Sequence, residues 1–186
     1  IARLVGVLER GERVVADGGA RIEDIQQRLA DVPPKRVLCL EWIEPPMVGG
    51  HWVPEMVRLA GGVDVLGQAG APSTYITWDA IAESDPDTII LMPCGYNLDA
   101  TLVAIRELGD QPAWRALRSV RTGQVFAVDG SGYFNRPGPR VIDGIELLAR
   151  LLHPQECHGL GPCDAARRVT GDGEERGTWK EESGGG

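Results

Sequence analysis

The sequence predicts an α/β protein: a three-layer lobe with a central, mostly parallel sheet of about four strands, preceded by a helical segment. Three observations predict it. Short apolar runs rich in β-branched residues alternate with segments of helical spacing, and each run gives way to a loop of glycine and proline. The chain, at 186 residues, is also long enough to bury a core of its own.

The elements follow in order. Residues 1–31 place Ile1, Leu4, Val5 and Leu8, then Val14, Val15, Ile22, Ile25 and Leu29 at helical spacing. Two helices, or one broken near Gly11, are expected. Gly18 and Gly19 weaken the second segment by up to about 1 kcal/mol each relative to alanine, and Pro33 and Pro34 stop it. RVLCLEW (36–42) is a strand, VPEMVRLAG (53–61) a helix with Pro54 in its first turn, and VDVLG (63–67) a second strand. TWDAIAES (77–84) is a helix with Thr77 as its N-cap, and DTIILMP (87–93) is the clearest strand of the chain. LDATLVAIRELG and QPAWRALRSV are two helices, GQVFAVDG a fourth strand, and VIDGIELLARLLH a last helix that starts near 137–139 and ends before Pro154. Residues 154–186, ending in GDGEERGTWKEESGGG, are low in apolar content and are expected to be disordered.

A net charge of −8 and a pI near 4.9 argue against a nucleic-acid or anionic-membrane surface. No apolar run approaches the roughly 20 residues that span a bilayer. The opening IARLVGVLERGERVV has the character of mid-helix sequence, so the chain is expected to be part of a longer one. Cys39 falls inside a strand as a structural thiol, and Cys94 follows one. His153, Cys157, His158 and Cys163 in HPQECHGLGPC raise a zinc hypothesis, but their spacing matches no standard finger, and a loose tail with two thiols is preferred. Glu41, Glu44 and His51 are separated by two rigid prolines and make a poor metal set, so no metal is expected.

In parallel α/β sheets, ligands gather outside the carboxyl ends of the strands. The loops there are EWIEPPMVGGHW, GQAGAPSTYITW, PCGYNL and DGSGYFNRPGP. They carry Trp42, Trp52, Tyr75, Tyr96, Tyr133 and Phe134, with His51, Asn97, Asn135 and Arg136 as orienting groups. That is the composition of a surface for a bulky, partly apolar ligand. The reading from another class is a cytoplasmic thiol enzyme, with Cys94 as nucleophile between strand and helix and His51 as its base. No HxxxH, HExxH or G-x-S-x-G motif accompanies them, and a non-enzyme is the preferred expectation.

The run VLCLEWIEPPMVGGHWVPEMVRLAGGVDVLGQAG, the later TWDAIAESDPDTIIL and VDGSGYFNRPGPRVIDGIELLARLLHP together resemble the C-terminal lobe of ABC-transporter substrate-binding proteins of the cobalamin, siderophore and haem class. The likeness is strongest to cobalamin binders. The resemblance implies the helical-backbone (class III) type of periplasmic binding protein, two lobes joined by one long helix with the ligand between them. It implies three segments: 1–31 as the edge of a first lobe (1–10) and the end of the linking helix (14–31), 32–153 as the ligand-binding lobe, and 154–186 as a tail. It carries ligand contact onto the loops at 42–47, 73–75 and 133–136, and with the residue reading gives the site as Trp42, Glu44, Pro46, Met47, His51, Trp52, Tyr75, Gly95, Tyr96, Tyr133, Phe134 and Arg136. Arg136 matches the arginine that faces the ligand in cobalamin binders, whereas Gly132 stands where those proteins carry an acid. Asp79 matches an acidic permease-docking position at which glutamate is usual. The implied protein is an extracytoplasmic monomer without a cofactor, delivering a corrinoid to an ABC permease. Haem or a ferric siderophore is the near alternative, with Tyr96 or Tyr133 as iron ligand.

Overall fold

The computed structural model describes residues 1–174. The chain runs α1 (Leu8–Arg28), β1 (Lys35–Trp42), β2 (Met47–Val48), α2 (Val53–Leu59), β3 (Gly62–Asp64), β4 (Thr74–Tyr75), α3 (Trp78–Ser84), β5 (Thr88–Leu91) and α4 (Leu98–Ala104). A 3₁₀ turn (Ile105–Asp110), α5 (Pro112–Ala116), α6 (Arg118–Arg121), β6 (Val125–Val128), α7 (Gly130–Tyr133), α8 (Arg140–Leu152) and β7 (Ala166–Arg168) complete it. Among the described residues no helix is long and apolar enough to cross a membrane.

Strands β3, β1, β5 and β6 lie side by side and parallel, in register from Val37–Thr88 to Leu40–Leu91 and from Ile89–Val125 to Leu91–Ala127. These are the four strands the sequence predicts. Three short antiparallel strands extend them to a seven-stranded sheet. β3 occupies only the first half of the β1 flank, so β2 pairs with its second half (Leu40–Val48, Trp42–Met47), and β4 pairs with β2. On the opposite edge β7 pairs with β6.

Both faces of the sheet are buried, and for that reason the strands are near-continuous apolar runs. Side chains alternate: Val37, Cys39, Ile90, Met92, Phe126 and Val128 pack beneath α1, α2 and α8, with Ile25, Met56, Val57, Leu148 and Leu151. Leu38, Leu40, Ile89, Leu91, Val125 and Ala127 pack on the other face against Ile81, Ile105, Leu108, Trp114 and Val120. The result is three layers, α/β/α.

Several expectations are corrected. α1 is one unbroken helix of 21 residues, in which Gly11 and Gly18 serve packing rather than interruption. A Cβ at Gly11 would sit 2.4 Å from that of Ala2, and one at Gly18 would sit 3.3 Å from Ile142 of α8. Its second half belongs to the lobe's own core, where Ile25 is fully buried. QPAWRALRSV splits into α5 and α6 because Leu117 is extended (φ −61°, ψ 137°), and LDATLVAIRELG tightens into the 3₁₀ turn after Ala104. The segment 154–174 is ordered, not loose: Cys157, Ala165, Ala166 and Val169 are buried, and the Asp129 amide donates to Ala165 O at 3.0 Å. The remainder of the expected tail, with Trp179, lies outside the described residues. His153 is a core histidine whose Nε2 is 2.9 Å from Gly61 O, while Cys163 is exposed. Among the described residues no group of three His, Cys, Asp or Glu side chains converges, and all four cysteines are free.

One polar cluster fixes α1 to the lobe. Arg21 donates from Nε to Glu146 Oε1 (2.8 Å) and from Nη2 to Glu146 Oε2 (2.7 Å) and Asp143 Oδ1 (2.6 Å). The Glu146 side chain is only 12% exposed, so removing its partner strands a largely desolvated carboxylate. We expect Arg21→Ala to destabilise the lobe by about 2 kcal/mol in urea unfolding; a change of only a few tenths would show that α1 is held by apolar packing alone.

Candidate functional site

The parallel strands deliver all four predicted loops to one edge, and backbone hydrogen bonds stitch the loops together. Cys94 N donates to Glu41 O (3.0 Å), joining the loops after β5 and β1. Ser131 N donates to Tyr96 O (2.8 Å), joining those after β6 and β5. Ser73 Oγ accepts from Gly50 N (3.1 Å) and donates to the Glu41 carboxylate, while His51 N donates to Ala71 O (2.6 Å). Gly130 is required where the loops meet, since a Cβ there would lie 2.7 Å from Asn135 Oδ1 and 2.8 Å from Pro93 O.

Trp42 and Tyr96 come together on this edge. Their rings pack edge to face, with centroids 5.6 Å apart at 75°. Trp42 Nε1 donates to Glu44 O at 3.2 Å. Trp42, Glu44 and Tyr96, with Ile43, Pro93, Ala104 and Glu107, line a hollow of about 140 Å³. Met47 pairs with Trp42 across a β-bulge on one side and with Tyr75 on the other, and Tyr75 is 66% exposed. Gly95 lies at the same edge, in a turn that needs its φ of +81°, and its amide donates to Asn135 Oδ1 at 3.4 Å.

Other expected contacts lie elsewhere. Phe134 is fully buried: the Asp129 carboxylate accepts from Gly132 N (2.7 Å), turns the chain into α7 and sends the next ring into the core. Pro46 is buried too, and its carbonyl accepts from Ile76 N (2.9 Å). Trp52 donates from its indole to Phe134 O (2.8 Å) and lines a separate apolar hollow with Val14, Ile22 and Ile142. His51 is exposed, with φ +54° and its ring tilted against Trp52 at 6.0 Å. Tyr133 packs on the α8 side; burial first, then the charges of Asp164, Asp129 and Asp143, push its phenol pKa up. Arg136 is exposed beyond α7 and does not line the Trp42 hollow. Asp79 is exposed in the first turn of α3, where Thr77 Oγ1 accepts from Ala80 N (3.2 Å) as the expected N-cap. Cys94 is exposed, and among the described residues no hydrogen bond links its thiol to His51.

Two contributors escaped the sequence reading. Glu107 reaches the hollow because the 3₁₀ turn changes the helical phase after α4. Asp64 holds the loop that leads to Tyr75: Oδ1 accepts from Gly67 N (2.6 Å) and Leu66 N (3.2 Å), while Oδ2 is buried without a partner. Burial outweighs these two bonds and raises the carboxyl pKa.

The lobe thus gathers aromatic loops at one open sheet edge, with a long helix along its flank. The Periplasmic binding protein family model matches residues 1–131, and the chain belongs to that family. A Vitamin B12-binding protein from Vibrio cholerae serotype O1 is 26% identical over 148 residues, covering 77% of this chain and 50% of that protein. The chain thus spans about half the length of the curated relatives it matches. An ABC transporter substrate-binding protein from Listeria monocytogenes superposes with a TM-score of 0.73 at 15% identity, covering 83% of this chain and 61% of that one. A periplasmic heme binding protein from Pseudomonas aeruginosa does so with a TM-score of 0.67 at 22% identity, covering 83% and 57%.

The raised Asp64 pKa sets the sign of a pH effect. The folded state holds this proton more tightly than the unfolded chain, so Asp64 is least unfavourable below its ordinary value of 3.8 and penalises folding as pH climbs through the raised value. Asp64→Asn keeps the acceptor for Leu66 and Gly67 and removes the charge. Its stability relative to wild type should rise as pH climbs from about 4 through the raised value and then level off; a pH-independent difference in urea midpoint would contradict the assignment.

Proposed function

We propose that this chain is the C-terminal ligand-binding lobe of an extracytoplasmic, monomeric substrate-binding protein that serves an ABC importer, and that its ligand is a corrinoid. The observation that carries the proposal is the Trp42–Tyr96 hollow with its two carboxylates, Glu44 and Glu107. Among the described residues neither carboxylate has an ion-pair partner. The indole and phenol supply flat apolar area for a macrocycle. The carboxylates accept hydrogen bonds from the neutral amides that fringe a corrin, and repel the two propionates that haem would bring. The raised phenol pKa of Tyr133 also works against the phenolate that an iron ligand requires. The vitamin B12-binding relative agrees with this choice. Arg136, exposed at the same end of the sheet, is assigned to an anionic group of the ligand, and Asp79 on α3 to contact with the permease.

The ligand of such a receptor is enclosed from two sides, and this lobe supplies one. Affinity follows the surface buried, so the chain alone should bind weakly and the complete protein tightly. The test is an absorbance titration of the complete protein with cyanocobalamin, haemin and a ferric hydroxamate. Cobalamin should saturate it, and Trp42→Ala should weaken that binding by about tenfold, the loss of roughly 1.4 kcal/mol of ring contact. Saturation by haemin or the ferric hydroxamate with no response to cobalamin would overturn the corrinoid assignment while leaving the receptor reading intact.

A further inference from the structure

Glu41 is the extra residue of a β-bulge. Leu40 pairs with Val48 and Trp42 with Met47, so two steps along β1 answer a single step along β2. Such a bulge leaves its extra residue out of the ladder and shifts the phase of the side chains that follow. The position of the bulge therefore decides where Trp42, the next residue, points. β2 is only two residues long, so ladder pairing alone specifies that position weakly.

Glu41 is held at both ends. Its carbonyl accepts from Cys94 N (3.0 Å), at the start of the loop that carries Tyr96. Its half-buried carboxylate accepts from Ser73 Oγ, one residue before β4. In the sheet β2 lies between β1 and β4, with Thr74 paired to Val48 and Tyr75 to Met47. The side chain of Glu41 thus reaches past β2 and clasps the chain beyond it. The Ser73 hydroxyl has one proton, which goes to Glu41, and its lone pairs are left to accept from Gly50 N (3.1 Å).

Ser73 is itself a fixed anchor. Gly50 packs directly on the backbone of 71–73, where a Cβ would lie 2.4 Å from Ala71 O and 2.6 Å from Ser73 N. His51 N donates to Ala71 O (2.6 Å) and Gly70 N to His51 O (2.8 Å), which ties the same segment to the start of α2. Glu41 differs from Glu44 and Glu107 in that it does not line the Trp42–Tyr96 hollow. Among the described residues it forms no ion pair either. Its carboxylate is committed to one hydroxyl.

We propose that Glu41 is a positioning residue of the ligand site, acting through Trp42: its clasp on Ser73 sets the bulge, and the bulge aims the Trp42 indole at Tyr96. The inference rests on the receptor reading of that hollow. It gives Ser73 a bracing role in place of the ligand contact that the family resemblance implies for 73–75. What Glu41 must supply is a hydrogen-bond acceptor at this place, and its charge is secondary.

The experiment has two readouts. In the isotopically labelled chain, the nuclear Overhauser contact between the Trp42 indole and the Tyr96 ring, whose centroids are 5.6 Å apart, reports the aim of Trp42 without any ligand. It should be present in wild type and in Glu41→Gln, which keeps an acceptor for Ser73, and lost in Glu41→Ala and Ser73→Ala. The affinity of the complete protein for cyanocobalamin should follow it, within about twofold of wild type for Glu41→Gln and about fivefold weaker for each alanine variant. Ser73→Ala removes a single oxygen and carries the test alone should Glu41→Ala not fold. Alanine variants with lowered urea midpoints but an unchanged ring contact would reduce Glu41 to a structural role and overturn the proposal. Loss of the contact in Glu41→Gln as in Glu41→Ala would overturn it too. Failure of wild type to respond to cyanocobalamin would strike the corrinoid assignment instead, and the ring contact would still decide the role of Glu41.

Discussion

The structure depends on one constraint: a parallel sheet buried on both faces. Along β1, Val37 and Cys39 face α1, α2 and α8, while Leu38 and Leu40 face the other helical layer, and all four are fully buried. With both faces occupied, the two ends of the strands are where polar loops meet solvent without exposing core. The carboxyl ends gather Trp42, Tyr96 and the acids Glu44 and Glu107. The same burial supplies rigidity, because each loop springs from a strand fixed by neighbours on two sides. The one long element outside the sheet, α1, joins this arrangement through Ile25 in the core and the Arg21 carboxylate cluster.

What the sequence disclosed follows from the same constraint. Doubly buried strands must be apolar throughout, so 36–42, 87–93 and the run around Phe126 are visible as strands without an alignment. α8 is visible because its apolar residues recur at helical spacing between proline signals. By contrast, β2 and β4 are two residues each and exist only through pairing, Met47 with Trp42 and Tyr75 and Val48 with Leu40 and Thr74. No local signal marks them. β7 is Ala-Arg-Arg, a sequence that suggests solvent; it forms because β6 offers an open edge and Phe126 a ring for Arg168. Gly11 and Gly18 mislead in the same way, since their role as packing surfaces for Ala2 and Ile142 is a property of the partner.

The site was legible in composition but not in direction. Aromatics after successive strands pointed to one edge of the sheet, where Trp42 and Tyr96 pack together. Which way a loop side chain points is set by the backbone before it. Asp129 captures the Gly132 amide, the chain coils into α7, and the adjacent residues Tyr133 and Phe134 separate, one half-buried against α8 and the other sealed in the core. Trp52 is redirected by a single bond, its indole N–H finding the Phe134 carbonyl rather than the hollow beside Trp42 and Tyr96. Glu107 was hidden for the converse reason: a 3₁₀ turn shifts the phase of a segment whose spacing suggests continuous helix.

Under the proposed receptor function, charge decides between ligands that shape alone admits. Any large planar ring could lie against Trp42 and Tyr96, so ring stacking cannot separate a corrin from a porphyrin. Glu44 and Glu107 can, because a ligand closing over the hollow removes water and strengthens their interaction with whatever the ring carries at its rim. Amide N–H groups gain from that desolvation and carboxylates lose. A half-cleft open to solvent screens most of this difference, whereas a cleft closed by a second lobe does not. On that proposal, selectivity between the two rings should be weak in this lobe and emerge with enclosure, with the acids on this edge acting as discriminating groups rather than sources of affinity.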